Sequence, residues 1–298
     1  MRKRKTKSRR NKNLSTILKI LGFICILVLL LLLIFLKKTA HRQLTQKTKT
    51  PISKQQQNIK PNTLKWTKQE KTVKIPILMY HAIHEMAPEE ASNANLILAP
   101  RVFESHIKRL SEEGYYFLSP EEAYQAFTQN SLPSKKVIWL TFDDSLIDFY
   151  SIAYPILKKY HAKATNNVIT SFTDEKRPSN LSLKQMREMK KNGMSFQSHT
   201  VTHPDLAVSD PQTQMKELKQ SKDYLDKSLN QDTYAIAYPA GRYNATTITL
   251  AKSYKLGVTT HEGLASVDNG LLSLNRVRIL PSTNADLLMN SISSAVSE

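Results

Sequence analysis

Two adjacent carboxylates follow an apolar segment of this 298-residue chain, and they could serve metal binding and proton transfer. Asp143 and Asp144 end the run Val137-Ile-Trp-Leu-Thr-Phe-Asp-Asp144. At the frayed end of a strand, both carboxylates can approach the mouth of a sheet, so that one can bind a metal while the other holds a proton. An Asp pair on its own is more typical of a turn or a helix cap.

Two histidines follow a second strand-like segment, in Ser198-His-Thr-Val-Thr-His-Pro204. Their four-residue spacing puts His199 and His203 on one side of a helical turn, where both imidazoles can reach one ion. Taken alone, they could equally face solvent. One Asp and two His from neighbouring strand ends give three protein ligands and leave positions for water and substrate, which is typical of a catalytic metal site.

A third segment, Tyr234-Ala-Ile-Ala-Tyr-Pro-Ala-Gly-Arg-Tyr243, runs from a strand into a turn. The turn at Tyr238, Pro239 and Gly241 could place a backbone N–H near the metal. A turn without catalytic function explains these residues nearly as well.

The elements that must position these residues alternate between strands and helices. Predicted strands cover residues 75–80, 137–142, 164–169, 194–197, 234–238, 257–260 and 276–280, and predicted helices cover 102–113, 120–129, 149–160, 183–192, 210–228, 245–254 and 286–294. This β-α alternation predicts an α/β fold with a parallel sheet covered by helices, either a barrel or a doubly wound sheet. In both, functional residues lie at the C-terminal ends of strands.

The net charge of +18 is confined to the N-terminal quarter of the chain. Residues 1–74 hold twenty Lys or Arg and one acid, Glu70, or +19, so the remaining 224 residues carry about −1. The part of the chain with the candidate site therefore lacks the basic character of a nucleic-acid-binding domain, and we expect no nucleic-acid partner.

A membrane anchor is predicted at residues 14–36, where Lys19 is the only charge. Twenty-three residues suffice to cross a bilayer core of roughly 30 Å. A buried soluble helix and a cleaved signal peptide are the alternatives, but the run is apolar on every face at 26–36 and no small-x-small cleavage site follows it. Eight basic residues in the segment 1–13 favour a cytoplasmic N-terminus and an extracellular domain.

Residues 37–74 are rich in Lys, Gln, Thr and Asn, and they predict a flexible basic stem because such a segment buries too little apolar surface to offset its ordering entropy. Its charge either keeps it solvated or attracts it to anionic lipid or wall polymer. The single cysteine, Cys25, lies in the predicted anchor, which rules out a cysteine nucleophile in the domain at 75–298.

From about Ile75 onward, the chain resembles the polysaccharide deacetylase family, with a NodB homology core from about residue 135, and within it the branch of poly-N-acetylglucosamine deacetylases. The matching pieces are Thr141-Phe-Asp-Asp144, Ser198-His-Thr-Val-Thr-His-Pro204, Tyr238-Pro-Ala-Gly241 and Pro76-Ile-Leu-Met-Tyr-His81. The resemblance implies a distorted (β/α) barrel with fewer than eight strands. It also implies a divalent metal, often zinc, on Asp144, His199 and His203, with Asp143 as the general base.

The chain departs from the family pattern at several positions. Many members have Gly where this chain has Ser145, and many have an Arg where it has Ala237; Arg276 is the candidate to supply that charge. The late Leu-x-His motif that provides the general acid elsewhere is not evident. His261 and His81 are the candidates for that role.

The expected function is hydrolysis of N-acetyl groups on an N-acetylglucosamine polymer of the cell wall or a biofilm. Asp143 would take a proton from water, a backbone N–H near Tyr238 would help to hold the oxyanion, and a histidine would protonate the departing amine. Peptidoglycan deacetylation and O-acetyl ester hydrolysis share this chemistry. A wall-glycan-binding protein without turnover is the alternative from another class.

Overall fold

The structure, a computed structural model, describes Leu32 and residues 64–294. The predicted cytoplasmic segment 1–13, the anchor 14–36 apart from Leu32, and the stem up to residue 63 lie outside the described residues. Across the part that is described, no helix is long and apolar enough to cross a membrane.

Seven parallel strands close into a barrel. In chain order they are β1 (Ile77–Tyr80), β2 (Val137–Phe142), β3 (Ala164–Val168), β4 (Met194–Ser198), β5 (Ala235–Ala237), β6 (Leu256–Glu262) and β7 (Leu274–Arg278). The order around the barrel is β1-β7-β6-β5-β4-β3-β2, and β2 pairs again with β1, which closes the ring. The prediction of a barrel with fewer than eight strands is confirmed, and the doubly wound alternative is wrong.

Alternating side chains of these strands build an inner and an outer core. Leu78, Tyr80, Leu140 and Phe142 are buried in one apolar cluster, which also contains helix residues. Alternate residues of the same strands, Ile77 and Trp139, form a second cluster together with residues of other strands such as Ala237 and Leu274. Because β-strand side chains point alternately to the two faces, every second residue fills the barrel interior, and the last inward residues reach its C-terminal mouth.

Helices cover the outside of the barrel. They are α1 (Pro100–Glu112), α2 (Pro120–Gln129), α3 (Tyr154–Lys159), α4 (Thr170–Asp174), α5 (Leu183–Lys190), α6 (Pro211–Leu229), α7 (Ala245–Leu250) and α8 (Ala285–Ser294). A wide turn at Phe149–Ala153 precedes α3, where Pro155 has no N–H to donate. The short helix α4 and the 3-10 segment Pro88–Leu96 were not predicted, because neither has an apolar period long enough to detect.

Residues 64–74 join the barrel near the N-terminal ends of its strands. Thr67–Lys68 pairs with Ser131–Leu132, and Val73 is buried. The domain therefore begins before Ile75, and the predicted stem is shorter at its C-terminal end because this polar segment gains strand pairing that its composition does not reveal.

A cavity of about 1200 Å³ lies beside this segment, lined by residues 67–74, Pro76 and Val137 among others, and none of the predicted site residues lines it.

Candidate active site

Asp143 lies just beyond the end of β2, buried at the C-terminal mouth of the barrel. Its Oδ1 accepts hydrogen bonds from Asn167 Nδ2 at 2.7 Å and from Arg276 Nη1 at 3.0 Å, and its Oδ2 accepts one from Arg276 Nη2 at 2.7 Å. Arg276, on β7, has no solvent exposure, and its Nε donates to the carbonyl of Thr259 at 2.7 Å. The guanidinium therefore fixes the orientation of the carboxylate with two parallel hydrogen bonds.

The protonation state of Asp143 follows from these contacts. Burial alone would raise its pKa, but the charges of Arg276 and His199 and the hydrogen bonds from Arg276 outweigh it. The pKa is held far below its usual range. Asp143 is therefore held as an anion at neutral pH.

Asp144 and Ser145 turn the chain sharply after β2. Both have left-handed backbone angles, with φ of +73° and +52°. This conformation is uncommon outside glycine, although Asp tolerates it better than most residues. The left-handed angle at Ser145 gives a physical reason for a glycine at this position, and the buried Ser145 Oγ has no hydrogen-bond partner within the described residues.

Three candidate metal ligands meet at the same mouth of the barrel. Asp144 Oδ1 lies 3.4 Å from His199 Nε2 and 3.7 Å from His203 Nε2, and one ligand atom from each residue falls within 4.8 Å of the others. Ligands about 2.1 Å from a shared tetrahedral ion are about 3.4 Å apart. His199 Nδ1 donates to the carbonyl of Ala237 at 2.7 Å, which directs its Nε2 toward Asp144. This set of donors fits a divalent cation such as zinc.

The electrostatic environment also favours a cation between these ligands. Burial would lower the pKa of His199, but the carboxylates of Asp144 and Asp143 outweigh it and raise the pKa. Burial and the neighbouring His199 lower the pKa of His203. For Asp144, the neighbouring His199 overcomes burial and lowers the pKa. Positive charge is thus stabilised at this position, whether it comes from a proton on His199 or from a metal ion.

In the turn after β5, one backbone amide has no hydrogen-bond acceptor among the described residues. The N–H of Tyr238 donates to the carbonyl of Val258 at 3.2 Å, and that of Gly241 to the carbonyl of Tyr238 at 2.8 Å. Pro239 has no N–H, so the remaining amide is that of Ala240. Gly241 has a φ of +67°, and a Cβ there would lie 2.0 Å from Thr260 Oγ1, so only glycine fits.

The two candidate acids lie in different surroundings. His81, one residue beyond β1, places its Nε2 3.9 Å from Asp143 Oδ2. Burial lowers its pKa and is only partly opposed by the two Asp carboxylates. His261 is exposed on β6, and its ring centroid lies 6.0 Å from that of Tyr243. Tyr238, also predicted for the site, is buried and donates from its hydroxyl to the carbonyl of Leu272 at 2.9 Å.

Two residues that hold the candidate site in place were not identified from the sequence. Asn167 holds Asp143, and its signal was a polar side chain in the interior of a buried strand. Glu217 lies buried on α6 and accepts three hydrogen bonds from the segment between the two histidines. Its signal was a charged residue on the same helical face as Gln214, Leu218 and Ser221.

Comparison with known proteins identifies related sequences. The sequence model of one family, described as Polysaccharide deacetylase, matches residues 130–259. A Bacillus subtilis (strain 168) protein named "Putative polysaccharide deacetylase YxkH" is 42% identical over 229 residues, which is 76% of this chain and 79% of that protein. The Staphylococcus aureus (strain MRSA252) poly-beta-1,6-N-acetyl-D-glucosamine N-deacetylase is 33% identical over 162 residues. That match covers 50% of this chain and 56% of the relative, little more than half its length.

A solved structure shows the same architecture at higher identity. The Streptococcus pyogenes deacetylase PplD, in complex with acetate, is 63% identical and superposes with a TM-score of 0.73. The superposition covers 75% of this chain and all of that one. Residues 130–259, which the family model matches, include Asp143 and the three candidate ligands.

Proposed function

This chain belongs to the polysaccharide deacetylase family, and from that premise we propose that it hydrolyses N-acetyl groups on an extracellular or cell-wall N-acetylglucosamine polymer, with release of acetate. One observation carries the proposal: the Asp144, His199 and His203 cluster lies beside a separate carboxylate, Asp143, that is held by Arg276. This arrangement separates a cation site from a proton acceptor, as hydrolysis of an unactivated amide requires.

The ligand side of the site would hold a divalent cation, with zinc as the proposed ion. Asp144 Oδ1 and the Nε2 atoms of His199 and His203 would coordinate it. When bound, such an ion supplies Lewis acidity to the acetyl carbonyl and lowers the pKa of water at the site. The neutral form that a low pKa favours at His203 suits coordination.

Asp143 and His81 would move the proton. Asp143 accepts it from the attacking water, and Arg276 and Asn167 keep the carboxylate oriented during the transfer. His81 Nε2 lies 3.9 Å from Asp143 Oδ2, so His81 is placed to take the proton on from Asp143. His81 then delivers the proton to the amine nitrogen as the C–N bond breaks. His261 is exposed, and no contact with Asp143 is found for it among the described residues, so we assign the role to His81.

The turn at Pro239–Gly241 would complete the site by supplying the oxyanion donor. The amides of Tyr238 and Gly241 already donate within the protein, so the Ala240 N–H is the donor we assign. Gly241 keeps the turn closed against Thr260 and thereby fixes the direction of this N–H. A pre-oriented donor in a site with little water typically stabilises the developing negative charge by about 3 kcal/mol.

The polymer class rests on the relatives. The S. aureus relative deacetylates poly-beta-1,6-N-acetyl-D-glucosamine by its name, and PplD was solved with acetate, which would be a product of this reaction. The decisive experiment measures acetate release and new primary amine on poly-N-acetylglucosamine and on peptidoglycan, with and without a chelator. Chelator-sensitive release of both products from poly-N-acetylglucosamine is expected. Release of the products from peptidoglycan alone would indicate a peptidoglycan deacetylase. Release of acetate without new amine would indicate an O-acetyl esterase, and binding of polymer without turnover would indicate a glycan-binding protein.

We further propose that residues 14–36 anchor the chain in the membrane, with the N-terminus cytoplasmic and the catalytic domain extracellular. The proposal rests on the apolar run and on the eight basic residues before it. Protease added to cells without their wall should digest the domain while leaving a cytoplasmic control protein intact. Protection of the domain under these conditions would reverse the orientation.

A further inference from the structure

The loop that carries the two candidate histidine ligands is held in an unusual conformation. Thr200 and His203 both have left-handed backbone angles, with φ of +66° and +63°. Residues other than glycine adopt this conformation only when their surroundings impose it. The position of the His203 imidazole therefore depends on what fixes the backbone between His199 and His203.

Neighbouring helices hold this loop by its polar backbone groups. The carbonyls of Thr200 and Val201 accept hydrogen bonds from the N–H groups of Thr170 and Ser171, at the start of α4. The opposite groups, the N–H of Val201 and the N–H of Thr202, both donate to Glu217 Oε2 at 2.8 Å. The hydroxyl of Thr202 donates to Glu217 Oε1 at 2.7 Å, so both carboxylate oxygens are engaged.

Glu217 is buried, at 5% exposure, and no basic side chain pairs with it within the residues that the structure describes. A buried carboxylate without a counter-ion is costly unless hydrogen-bond donors compensate it. Its donors here all come from the loop between the two histidines. Its negative charge therefore lies against the loop that carries the two candidate histidine ligands.

We propose that Glu217 is a positioning residue for the metal site: it fixes the loop between His199 and His203 so that both Nε2 atoms face Asp144, and its charge favours a cation there. The inference rests on the proposed metal site and adds a residue that touches neither metal nor substrate. Loss of such a supporting hydrogen bond typically weakens metal affinity about 10- to 100-fold.

The variants Glu217→Ala and Glu217→Gln distinguish the effect of the hydrogen bonds that Glu217 accepts from the effect of its negative charge. Ala removes all three hydrogen bonds. Gln can still accept both backbone hydrogen bonds through its carbonyl oxygen, and its amide can donate to the Thr202 hydroxyl, so it removes mainly the charge. Gln214→Ala is the matched control, because Gln214 is buried on the same helix but bonds Ser209 and Thr247 instead of the loop.

The test measures the Zn²⁺ dissociation constant of the full-length protein in detergent, by competition with a chromophoric chelator, beside the thermal midpoint of the metal-free protein. We expect Glu217→Ala to weaken Zn²⁺ binding about 10- to 100-fold, Glu217→Gln by only a few fold, and Gln214→Ala not at all. The midpoints of Glu217→Ala and Gln214→Ala should fall by similar amounts.

Two results would overturn the inference while leaving the proposed function intact: unchanged Zn²⁺ affinity in Glu217→Ala, or an equal loss of affinity in Gln214→Ala, which would indicate general destabilisation. If Glu217→Ala does not fold, Thr202→Val removes a single hydrogen bond of the same set and should weaken Zn²⁺ binding measurably; unchanged affinity there counts against the inference. Failure of the wild-type protein to bind Zn²⁺ stoichiometrically would overturn both the inference and the proposed metal site.

Discussion

Arg276 and Asp143, 133 positions apart in the sequence, form a buried ion pair in which the guanidinium meets both carboxylate oxygens. Many family members place an arginine near this carboxylate from the position that Ala237 occupies here. In this chain the charge reaches Asp143 from β7, two strands away from β5 around the barrel. The closed barrel makes the substitution possible because inward side chains of different strands meet at one mouth.

Asp143→Asn and Asp144→Asn should fail in different ways. Asp143→Asn keeps the shape but removes the basicity, so activity should fall by roughly 10²- to 10⁴-fold while metal is retained. Asp144→Asn removes a charged ligand and should lower both metal content and activity. Metal content measured beside initial rates checks this. The opposite pattern of metal loss would reverse the two assignments.

Arg276→Gln should move the acid limb of the pH-activity profile to higher pH. In the wild type, the pKa of Asp143 lies below its usual value of about 3.9, so protonation of Asp143 does not limit activity in mild acid. Without Arg276, burial dominates and raises the pKa, so the carboxylate is protonated at a higher pH and stops accepting protons.

The profile of kcat/KM against pH for both proteins checks this shift, and an unmoved acid limb would contradict it. Loss of the buried partner should also destabilise the fold by about 3–5 kcal/mol, measurable by denaturant unfolding. Measurements well below the melting temperature keep the two effects apart.

His81→Gln should lower kcat far more than His261→Gln. His81 lies 3.9 Å from Asp143 Oδ2, whereas His261 is exposed on β6. A positioned acid typically contributes at least about 10²-fold, so His81→Gln should lose that factor and His261→Gln should stay close to wild type. Comparison of kcat on one substrate decides between the two. A larger loss of kcat in His261→Gln would assign the role of the acid to His261 instead.

Ser145→Gly should stabilise the protein while leaving activity in place. It relieves a left-handed backbone angle, which costs about 1–2 kcal/mol outside glycine, and removes a buried hydroxyl that has no hydrogen-bond partner among the described residues. The greater freedom of glycine in the unfolded chain offsets roughly 0.5–1 kcal/mol. A net gain of about 1 kcal/mol in the free energy of unfolding is expected. A loss of stability would show that the Ser145 hydroxyl has a partner such as a buried water.

Gly241→Ala should lower activity, and Gly114→Ala provides a matched control. Both glycines have left-handed angles, with φ of +67° and +76°, so alanine strains both backbones. At Gly241 the new Cβ also meets Thr260, whereas nothing lies within 4 Å at Gly114. Gly114→Ala should cost about 1 kcal/mol with normal kcat. Gly241→Ala should displace the Ala240 N–H and reduce kcat, and equal kcat values would argue against the oxyanion assignment.

The sequence predicted the strands of the barrel well because most of them are short apolar runs with turn residues at their ends. The choice of a barrel over a doubly wound sheet came from the family resemblance. The prediction at 137–142 agrees with β2 at both ends, and that at 164–169 differs from β3 by one residue. The residue pattern could not show that the sheet closes into a barrel, because β1 pairs with β7 and β2 through contacts between residues far apart in the sequence. The short strand Tyr116–Phe117, which pairs with the start of β2, was also missed because two residues show no periodicity.

The candidate site was predictable to the extent that its residues share motifs. Asp144, His199 and His203 meet because the C-terminal ends of parallel strands meet. Glu217 was not predicted from the sequence. It lies on a helix and hydrogen-bonds a distant loop, and such a residue has no fixed sequence spacing from the loop residues that it contacts. The sequence placed the oxyanion donor of the third motif only near Tyr238. We assign it to the Ala240 N–H because the structure shows that the amides of Tyr238 and Gly241 are already paired.

The attachment of residues 64–74 to the barrel has a mechanical consequence. These residues meet the strands at their N-terminal ends, while the ligands lie at the C-terminal ends, so the chain arrives at one pole of the barrel and chemistry occurs at the other. A force on the chain before residue 64 would act on the N-terminal end of the barrel, which is remote from Asp144. If residues 14–36 anchor the chain as proposed, changes in the length of the segment before residue 64 would alter how far the mouth of the barrel reaches from the membrane, without disturbing the spacing of the candidate ligands.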